Sequence, residues 1–314
     1  MTQPRRRCLL AGLAAAGAAA LPASGWAREA LRLVVAYPPG GVSDQVTRAL
    51  ASLLDAQGAG PVVVENRAGA GGAVGLASMA RAAPDGRTLC FSAISPLTQS
   101  AAAPVGGRPL AEVVVPVIGV MHTPVLLVGT PAFAGRSFGD LLAAARARPG
   151  LLRWATSGAG TAGHQVLEQV RRATGIDVTH VPYKGGGPQL NDALAGEFEL
   201  LSTNVAPLQI DYVRAGRFTP LAVGAPARMP VLAAVPTFAE LGCPGANLAS
   251  LFGLFAPRGT PEVVVRRLNV LLARALAHPA LRNRLLSAGN LPAGSSTAEF
   301  AAAILAEAQA GTLR

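Results

Sequence analysis

The sequence has little of what many binding and catalytic chemistries require. Its 314 residues include one lysine, three cysteines and four histidines, and aromatic side chains make up 4% of the chain. Few aromatic rings leave no platform on which bases could stack, and the basic residues are scattered arginines, so nucleic acid is not an expected partner. No two histidines stand at helical or hairpin spacing, and we therefore expect no metal site.

Motifs for nucleotide binding and for hydrolysis are incomplete. A Gly-x-Gly-x-x-Gly motif begins at Gly158, but the acidic residue that should bind the ribose could only be Asp177, which opens the next predicted strand instead of closing it. Ser157 and His164 could form a nucleophile and its base, although no Gly-x-Ser-x-Gly turn surrounds the serine. We predict no cofactor and no enzymatic activity, with hydrolysis by this pair as an alternative.

The first 27 residues have the order of an export signal. Three arginines at positions 5–7 precede a short apolar run over residues 8–23, and Gly25-Trp26-Ala27 has the small-x-small pattern of a cleavage site. No later stretch reaches 18 apolar residues without a charge. We predict a signal peptide at residues 1–27, cleavage after Ala27 and a periplasmic protein, exported by the twin-arginine or the general secretory route.

The mature chain is expected to be basic. Three of the 27 basic residues lie in the leader, which leaves 24 against 17 acidic residues and a net charge of +7. That surplus favours anionic ligands. Cys90 and Cys243 stand far apart in the remaining chain, and we expect two buried single thiols in preference to a disulfide.

Short β-branched segments alternate with amphipathic segments from residue 31 onward, which predicts βαβ units and parallel sheets. No low-complexity linker interrupts the chain, so we expect two lobes joined by crossings near residues 123–127 and 224–227. Lobe 1 would comprise residues 28–124 and 225–314, and lobe 2 residues 125–224. The candidate strands are 31–37, 61–65, 88–95, 113–120, 152–156, 177–182, 199–203, 219–223 and 251–256.

Four glycine-rich turns each follow a predicted strand and precede a predicted helix. They lie at residues 38–44, 69–72, 157–161 and 184–188. In an open α/β sheet the carboxyl ends of the strands face one crevice, where each following helix offers free backbone N–H groups and the positive end of its dipole. The turns hold one basic side chain, Lys184, so we predict an anion site that does not depend on it.

Two side chains near these turns allow two interpretations each. Asp44 stands where it could cap a helix, or it could pair with a ligand ammonium or orient a bound water. His164 stands in the first turns of a helix, where its ring could donate to a ligand or tie the loop to the backbone.

Seven motifs in order along the chain resemble one known family. They are Tyr-Pro-Pro-Gly-Gly-Val-Ser-Asp at 37–44, Val-Glu-Asn-Arg-Ala-Gly-Ala-Gly-Gly at 64–72, Ala-Pro-Asp-Gly at 83–86, Ser-Gly-Ala-Gly-Thr at 157–161, Val-Pro-Tyr-Lys-Gly-Gly at 181–186, Val-Pro-Thr-Phe at 235–238 and Ala-Pro-Arg-Gly-Thr-Pro at 256–261. In this order and spacing they are similar to the substrate-binding receptors of tripartite tricarboxylate transporters, the Bug family. The similarity covers essentially the whole mature chain.

The resemblance implies an α/β, two-lobed type II periplasmic-binding-protein fold, with each lobe a mostly parallel sheet flanked by helices and the ligand in the interlobe cleft. It implies a monomer that binds a small carboxylate or related metabolite and delivers it to large and small membrane permease subunits. It puts the ligand against Tyr37, Gly41, Ser43, Asp44, Ala70 and Gly71 in lobe 1 and against Ser157, Gly160, Thr161 and His164 in lobe 2. Gly40, Ser95, Thr203 and Asn204 complete the candidate set.

The chain departs from the family at several places, one of which bears on a ligand ammonium. Thr203 and Asn204 stand where relatives commonly have an aspartate, so a contact from there to a ligand ammonium is not expected. The identity of the ligand stays open. A sensory role, in which the protein presents its ligand to a membrane histidine kinase, is the alternative to transport.

Overall fold

The computed structural model describes residues 30–98, 104–183 and 185–312, with side chains up to residue 309. The predicted signal peptide and Lys184 lie outside this part of the chain. In the described residues the strands are β1 Leu31–Val35, β2 Val62–Asn66, β3 Thr88–Ala93, β4 Val114–Gly129, β5 Arg153–Thr156, β6 Thr179–Pro182, β7 Leu200–Asn204, β8 Thr219–Val223, β9 Ala249–Pro257 and β10 Leu291–Pro292.

The helices follow the strands as the alternating pattern predicts. They are α1 Val42–Ala56, α2 Ala73–Ala80, α3 Ser95–Thr98, α4 Leu110–Val113, α5 Phe138–Ala147, α6 Ala162–Thr174, α7 Gly186–Ala195, α8 Pro207–Arg214, α9 Glu262–Leu276, α10 Pro279–Ser287 and α11 Thr297–Thr312. Helix α1 shows why: Val46, Leu50 and Leu54 recur at helical spacing, and all three are buried against the first sheet.

Two sheets share one long strand. The first has the order β2-β1-β3-β9-β4 with β10 on the far side of β4, and the second has the order β6-β5-β7-β4-β8. In the first sheet β1, β2 and β3 are parallel and β9 runs against β3 and β4. In the second sheet β5, β6 and β7 are parallel and β4 runs against β7 and β8. Most strands of each sheet therefore run in one direction.

Strand β4 carries the chain from the first sheet to the second. Its residues up to Pro124 pair with β9, and those from Val125 pair with β7 and β8. The crossing predicted near residues 123–127 falls inside this strand. The sequence pattern ended the strand at residue 120, because Met121 and His122 interrupt the β-branched run.

The return to the first sheet differs from the predicted one near residues 224–227. After β8 the chain runs back over the second sheet, where Leu232 and Phe238 are buried in its two cores. It re-enters the first sheet only at β9. Residues 225–248 contain short 3₁₀ turns instead of a strand or a long helix, so no periodic pattern marks this detour. The bounds of the two lobes stay a prediction.

Each sheet has a hydrophobic cluster on either face, and helices cover both faces. Cys90 and Cys243 are buried free thiols in clusters of different sheets. None of the helices in the described ranges combines the length and the apolar composition that crossing a membrane requires. The same ranges hold no group of three or more His, Cys, Asp or Glu side chains arranged to bind a metal ion.

Candidate functional site

The structure places the candidate residues at the carboxyl ends of parallel strands. In the first sheet Tyr37 follows β1, the turn at residues 69–72 follows β2, and Ser95 follows β3. In the second sheet Ser157 follows β5, and Thr203 and Asn204 end β7. Because parallel strands end at the same edge of a sheet, the candidates of each lobe gather at one edge.

The turn before α1 is closed by the side chains of the helix that follows it. Gly40 has a φ of +82°, a conformation that favours glycine, and Gly41 is the N-cap with no side chain to satisfy the helix. One carboxylate oxygen of Asp44 accepts a hydrogen bond from the Gly40 N–H at 2.9 Å, and the Gln45 amide donates to the Gly40 carbonyl at 2.9 Å. The turn is therefore fixed while the first helical N–H groups, including that of Ser43, remain without a helical partner.

Asp44 is buried and has its oxygens occupied by the protein. Besides Gly40, it accepts from Arg48 Nε at 3.0 Å and from Asn66 Nδ2 at 2.9 Å. Burial alone raises the pKa of Asp44, but the hydrogen bonds from Arg48, Gly40 and Asn66 outweigh it and hold the pKa below its ordinary value. This arrangement favours a structural role for the carboxylate over a contact to a ligand ammonium.

The Tyr37 hydroxyl joins three chain segments of the first lobe. It accepts from the Ala93 N–H at 3.0 Å and donates to the Gly71 carbonyl at 3.2 Å, and burial raises its pKa to about 12. Beside it, Ala70 has a φ of +46°, the one positive value for a non-glycine residue among the described residues. That backbone strain lies in a candidate turn. Ser95 opens the short helix α3, where its carbonyl accepts from Thr98.

The turn before α6 repeats this construction in the second lobe. Gly160 has a φ of +74°, and its N–H donates to Nδ1 of His164 at 2.9 Å. The Gln165 amide donates to the Gly160 carbonyl at 3.3 Å. Thr161 is the N-cap; its hydroxyl donates to the Gly158 carbonyl at 2.8 Å and accepts from the His164 N–H at 3.4 Å.

The imidazole of His164 stacks on that of His180, with ring centroids 4.3 Å apart and planes 16° from parallel. Because Nδ1 of His164 accepts a hydrogen bond, the neutral ring carries its proton on Nε2, which lies 3.8 Å from a carboxylate oxygen of Glu168. Nε2 of His180 lies 2.7 Å from the Thr156 hydroxyl. Burial and the neighbouring His164 lower the pKa of His180 to about 4. His164 thus ties the loop to the backbone, one of the two roles that the sequence left open.

The end of β7 contacts the other sheet. The Asn204 side-chain oxygen accepts a hydrogen bond from the Ser250 hydroxyl of β9 at 2.9 Å, so one polar contact bridges the two sheets. The Thr203 hydroxyl accepts from the Gln209 amide at 3.4 Å, and the buried Gln209 side-chain oxygen has no hydrogen-bond partner among the residues that the structure describes. All of these groups are uncharged.

Several positioning side chains were missed by sequence reasoning. Arg48 and Asn66 hold Asp44, and His180 supports His164, but none of the three belongs to a glycine turn. One signal was present. Gly40 and Gly160 are each followed by an acceptor four residues later and a glutamine five residues later, a match that is visible only when the two turns are aligned.

Two α/β lobes on a shared strand, with glycine turns gathered at strand ends, define the class of periplasmic binding proteins. The family model for the tripartite tricarboxylate transporter family receptor matches residues 46–310, and the chain belongs to this family. It is therefore a solute-binding receptor and not an enzyme, which excludes hydrolysis by Ser157 and His164. The predicted fold class and the predicted Bug family resemblance are confirmed.

Relatives of known sequence or structure are similar to this chain over most of its length. BugT of Bordetella pertussis is 35% identical over 283 residues, covering 89% of this chain and 86% of that protein. The structure of R. palustris Rpa4515 with adipate has a TM-score of 0.82 at 32% identity, covering 91% of this chain and 96% of that one. MatC from Rhodopseudomonas palustris with bound malate has a TM-score of 0.76 at 28% identity, covering 89% and 96%.

Proposed function

We propose that this protein is a periplasmic receptor that binds a small dicarboxylate between its lobes and delivers it to the large and small subunits of a membrane transporter. The observation that carries the proposal is the pair of matched turns at the amino ends of α1 and α6. Each turn exposes the positive end of a helix of 13 to 15 residues and is held open by its own side chains.

Helix ends of this kind replace a basic side chain in binding an anion. Each contributes about 0.3 to 1 kcal/mol to holding an anion at an exposed position and up to about 2 kcal/mol when partly buried. The hydroxyls of Ser43 and Ser157 lie in or next to these turns as further candidate donors, whereas the Thr161 hydroxyl already donates to the Gly158 carbonyl. Two helix ends with such donors are sufficient for a carboxylate, and Lys184 is dispensable in this account.

The chemistry of the site supports a dicarboxylate over an acidic amino acid. Adipate and malate, which occupy two structural relatives, are dicarboxylates without an ammonium group. Asp44 already has its oxygens occupied, and the side chains at Thr203 and Asn204 are neutral, so nothing at these positions offers a counter-charge to an ammonium.

The proposed role also includes a cellular location and a division of the chain into two lobes. We propose cleavage after Ala27, a periplasmic mature protein and, in place of the predicted bound at residue 224, a second lobe that extends from Val125 to Leu248 before the chain returns through β9. Contact of one ligand with both lobes would stabilise a closed arrangement by its differential affinity.

A substitution at Gly41 tests the position of the site. Its φ of −70° suits any residue, and a Cβ there meets only the Pro38 carbonyl oxygen at 3.7 Å, so Gly41→Val fills the space in front of α1 without straining the fold. We expect calorimetric binding of malate or adipate to fall at least tenfold while the melting temperature stays within about 2 °C of wild type. The matched control is Gly139→Val, where the nearest atom to a Cβ is the Ser137 hydroxyl at 3.6 Å.

The outcomes separate the parts of the proposal. Normal binding by Gly41→Val would place the ligand elsewhere. Equal binding of the diacid and its uncharged diamide to the wild-type protein would refute the anion site. Loss of all affinity in Lys184→Ala would refute the argument from helix ends.

A further inference from the structure

The positive charge of the mature chain is concentrated on one segment. Residues 258–287 contain six arginines and one glutamate, a net charge of +5 out of the +7 of residues 28–314. The rest of the mature chain, with 18 basic and 16 acidic residues, is close to neutral. All six arginines are exposed: Arg258, Arg266, Arg267, Arg274, Arg282 and Arg284. The surplus therefore lies on α9, α10 and the turn before them.

This segment is not part of the candidate ligand site. Helices α9 and α10 pack on the first sheet and on α1 through Leu268, Leu272, Leu281 and Leu285, which are fully or almost fully buried. Their opposite faces point to solvent. The turns at the amino ends of α1 and α6 contain no arginine, so the surplus charge has no role in holding a ligand there.

The outer face of α9 combines charge with exposed aliphatic side chains. Val263, Arg266, Arg267, Val270 and Arg274 follow one another at spacings of three, one, three and four residues, which places them on one stripe of the helix. Val263 is 65% exposed and Val270 is 52% exposed. Arg266 forms an ion pair with Glu262, the acidic residue of the segment. On α10 the exposed Arg282 stands one turn before the exposed Leu286.

We propose that the outer face of α9 and α10 is a docking surface for an anionic phospholipid bilayer. The stripe from Val263 to Arg274 is about 16 Å long. Its arginines and valines match a flat surface of negative headgroups, where guanidinium groups contact phosphates and aliphatic groups reach the acyl boundary. Docking there would hold the receptor at the membrane while the cleft stays free for the solute.

Vesicle binding tests this surface without reference to the solute. The mature protein is sedimented with vesicles of phosphatidylglycerol and phosphatidylcholine, and with vesicles of phosphatidylcholine alone. The test variant is Arg266→Gln with Arg274→Gln and Arg282→Gln. The matched control, Arg146→Gln with Arg172→Gln and Arg217→Gln, removes the same charge from exposed positions of the second lobe. Thermal melting verifies that both variants are folded.

The wild-type protein is expected to bind the anionic vesicles and not the neutral ones, and 0.5 M salt should release it. An arginine near an anionic bilayer contributes a factor of about five in affinity, so the test variant should lose about a hundredfold and the control less than twofold. Equal losses in the two variants would show attraction by net charge and overturn the proposal. Absence of binding, or binding only to vesicles that contain the transporter subunits, would also overturn it, and the latter would indicate an acidic protein partner.

Discussion

The turns before α1 and α6 have the same geometry but different chemistry. In both, a glycine with positive φ donates its N–H to the side chain four residues later, and its carbonyl accepts from the glutamine five residues later. The acceptor is the carboxylate of Asp44 in the first lobe and the imidazole of His164 in the second. The residue one turn further is Arg48 in the first lobe and Glu168 in the second, so the charges are reversed.

The two turns therefore share their backbone geometry and differ in the charge of the side chain that accepts the hydrogen bond. Near α1 the negative Asp44 is balanced by Arg48, which leaves the helix dipole available to a ligand. Near α6 the neutral imidazole of His164 closes the turn, so the group that accepts from Gly160 adds no negative charge at the end of the helix dipole. The carboxylate of Glu168 lies on the other side of that ring, 3.8 Å from Nε2. The amino ends of α1 and α6 therefore present a similar positive dipole end to a ligand, although different side chains close the two turns.

The largest effect is expected from removing the charged acceptor. Asp44→Ala leaves the Gly40 N–H, Asn66 and Arg48 without their shared partner, and losing the hydrogen bonds to this buried carboxylate costs about 3 kcal/mol. Denaturant unfolding measures the change. The control is Asp140→Ala, an aspartate at the matching position of α5 whose side chain caps an exposed helix start, with an expected loss of about 1 kcal/mol. Equal losses would mean that the turn before α1 is not specially stabilised.

Removing the neutral acceptor should have a smaller effect. His164→Ala leaves the Gly160 N–H without its partner and should lower the free energy of unfolding by about 1 to 2 kcal/mol. His164→Asn supplies a neutral oxygen at the same helical position, and we expect it to restore at least half of that loss in denaturant unfolding. If asparagine were no better than alanine, the stack on His180 and not the hydrogen bond would be the stabilising contact.

The smallest effect concerns pH. The pKa of His180 is lowered to about 4 in the folded protein, so between pH 6.5 and 4 the unfolded chain binds the additional proton and stability falls as the pH falls. Glu168, Arg171 and His164 face the ring and stay in place in His180→Gln. We expect the wild-type melting temperature to fall about 2 to 4 °C more than that of the variant from pH 7 to pH 5. Parallel melting curves would show that His180 does not sense pH in this window.

Local patterns predicted most of the fold, and non-local contacts account for what they missed. The glycine turns and the strands before them were recognised because each is encoded by neighbouring residues. The detour of residues 225–248 was not, since its burial depends on Leu232 and Phe238 meeting cores formed by distant segments. The role of Asn66 was missed for the same reason, whereas Arg48 forms a local (i, i+4) pair with Asp44 that the helix spacing could have revealed. Asn66 lies 22 residues from Asp44, and only the pairing of β1 with β2 brings them together.

Strand β4 is internal to both sheets, with β9 and β10 beside its first part and β7 and β8 beside its second. Neither sheet is continuous without it. If β4 separates from its partner strands in one sheet, the other sheet loses a strand with which its own members pair. The hydrophobic clusters of the first sheet are therefore thermodynamically coupled to those of the second sheet. We expect the molecule to melt as a single cooperative unit, although it has two sheets.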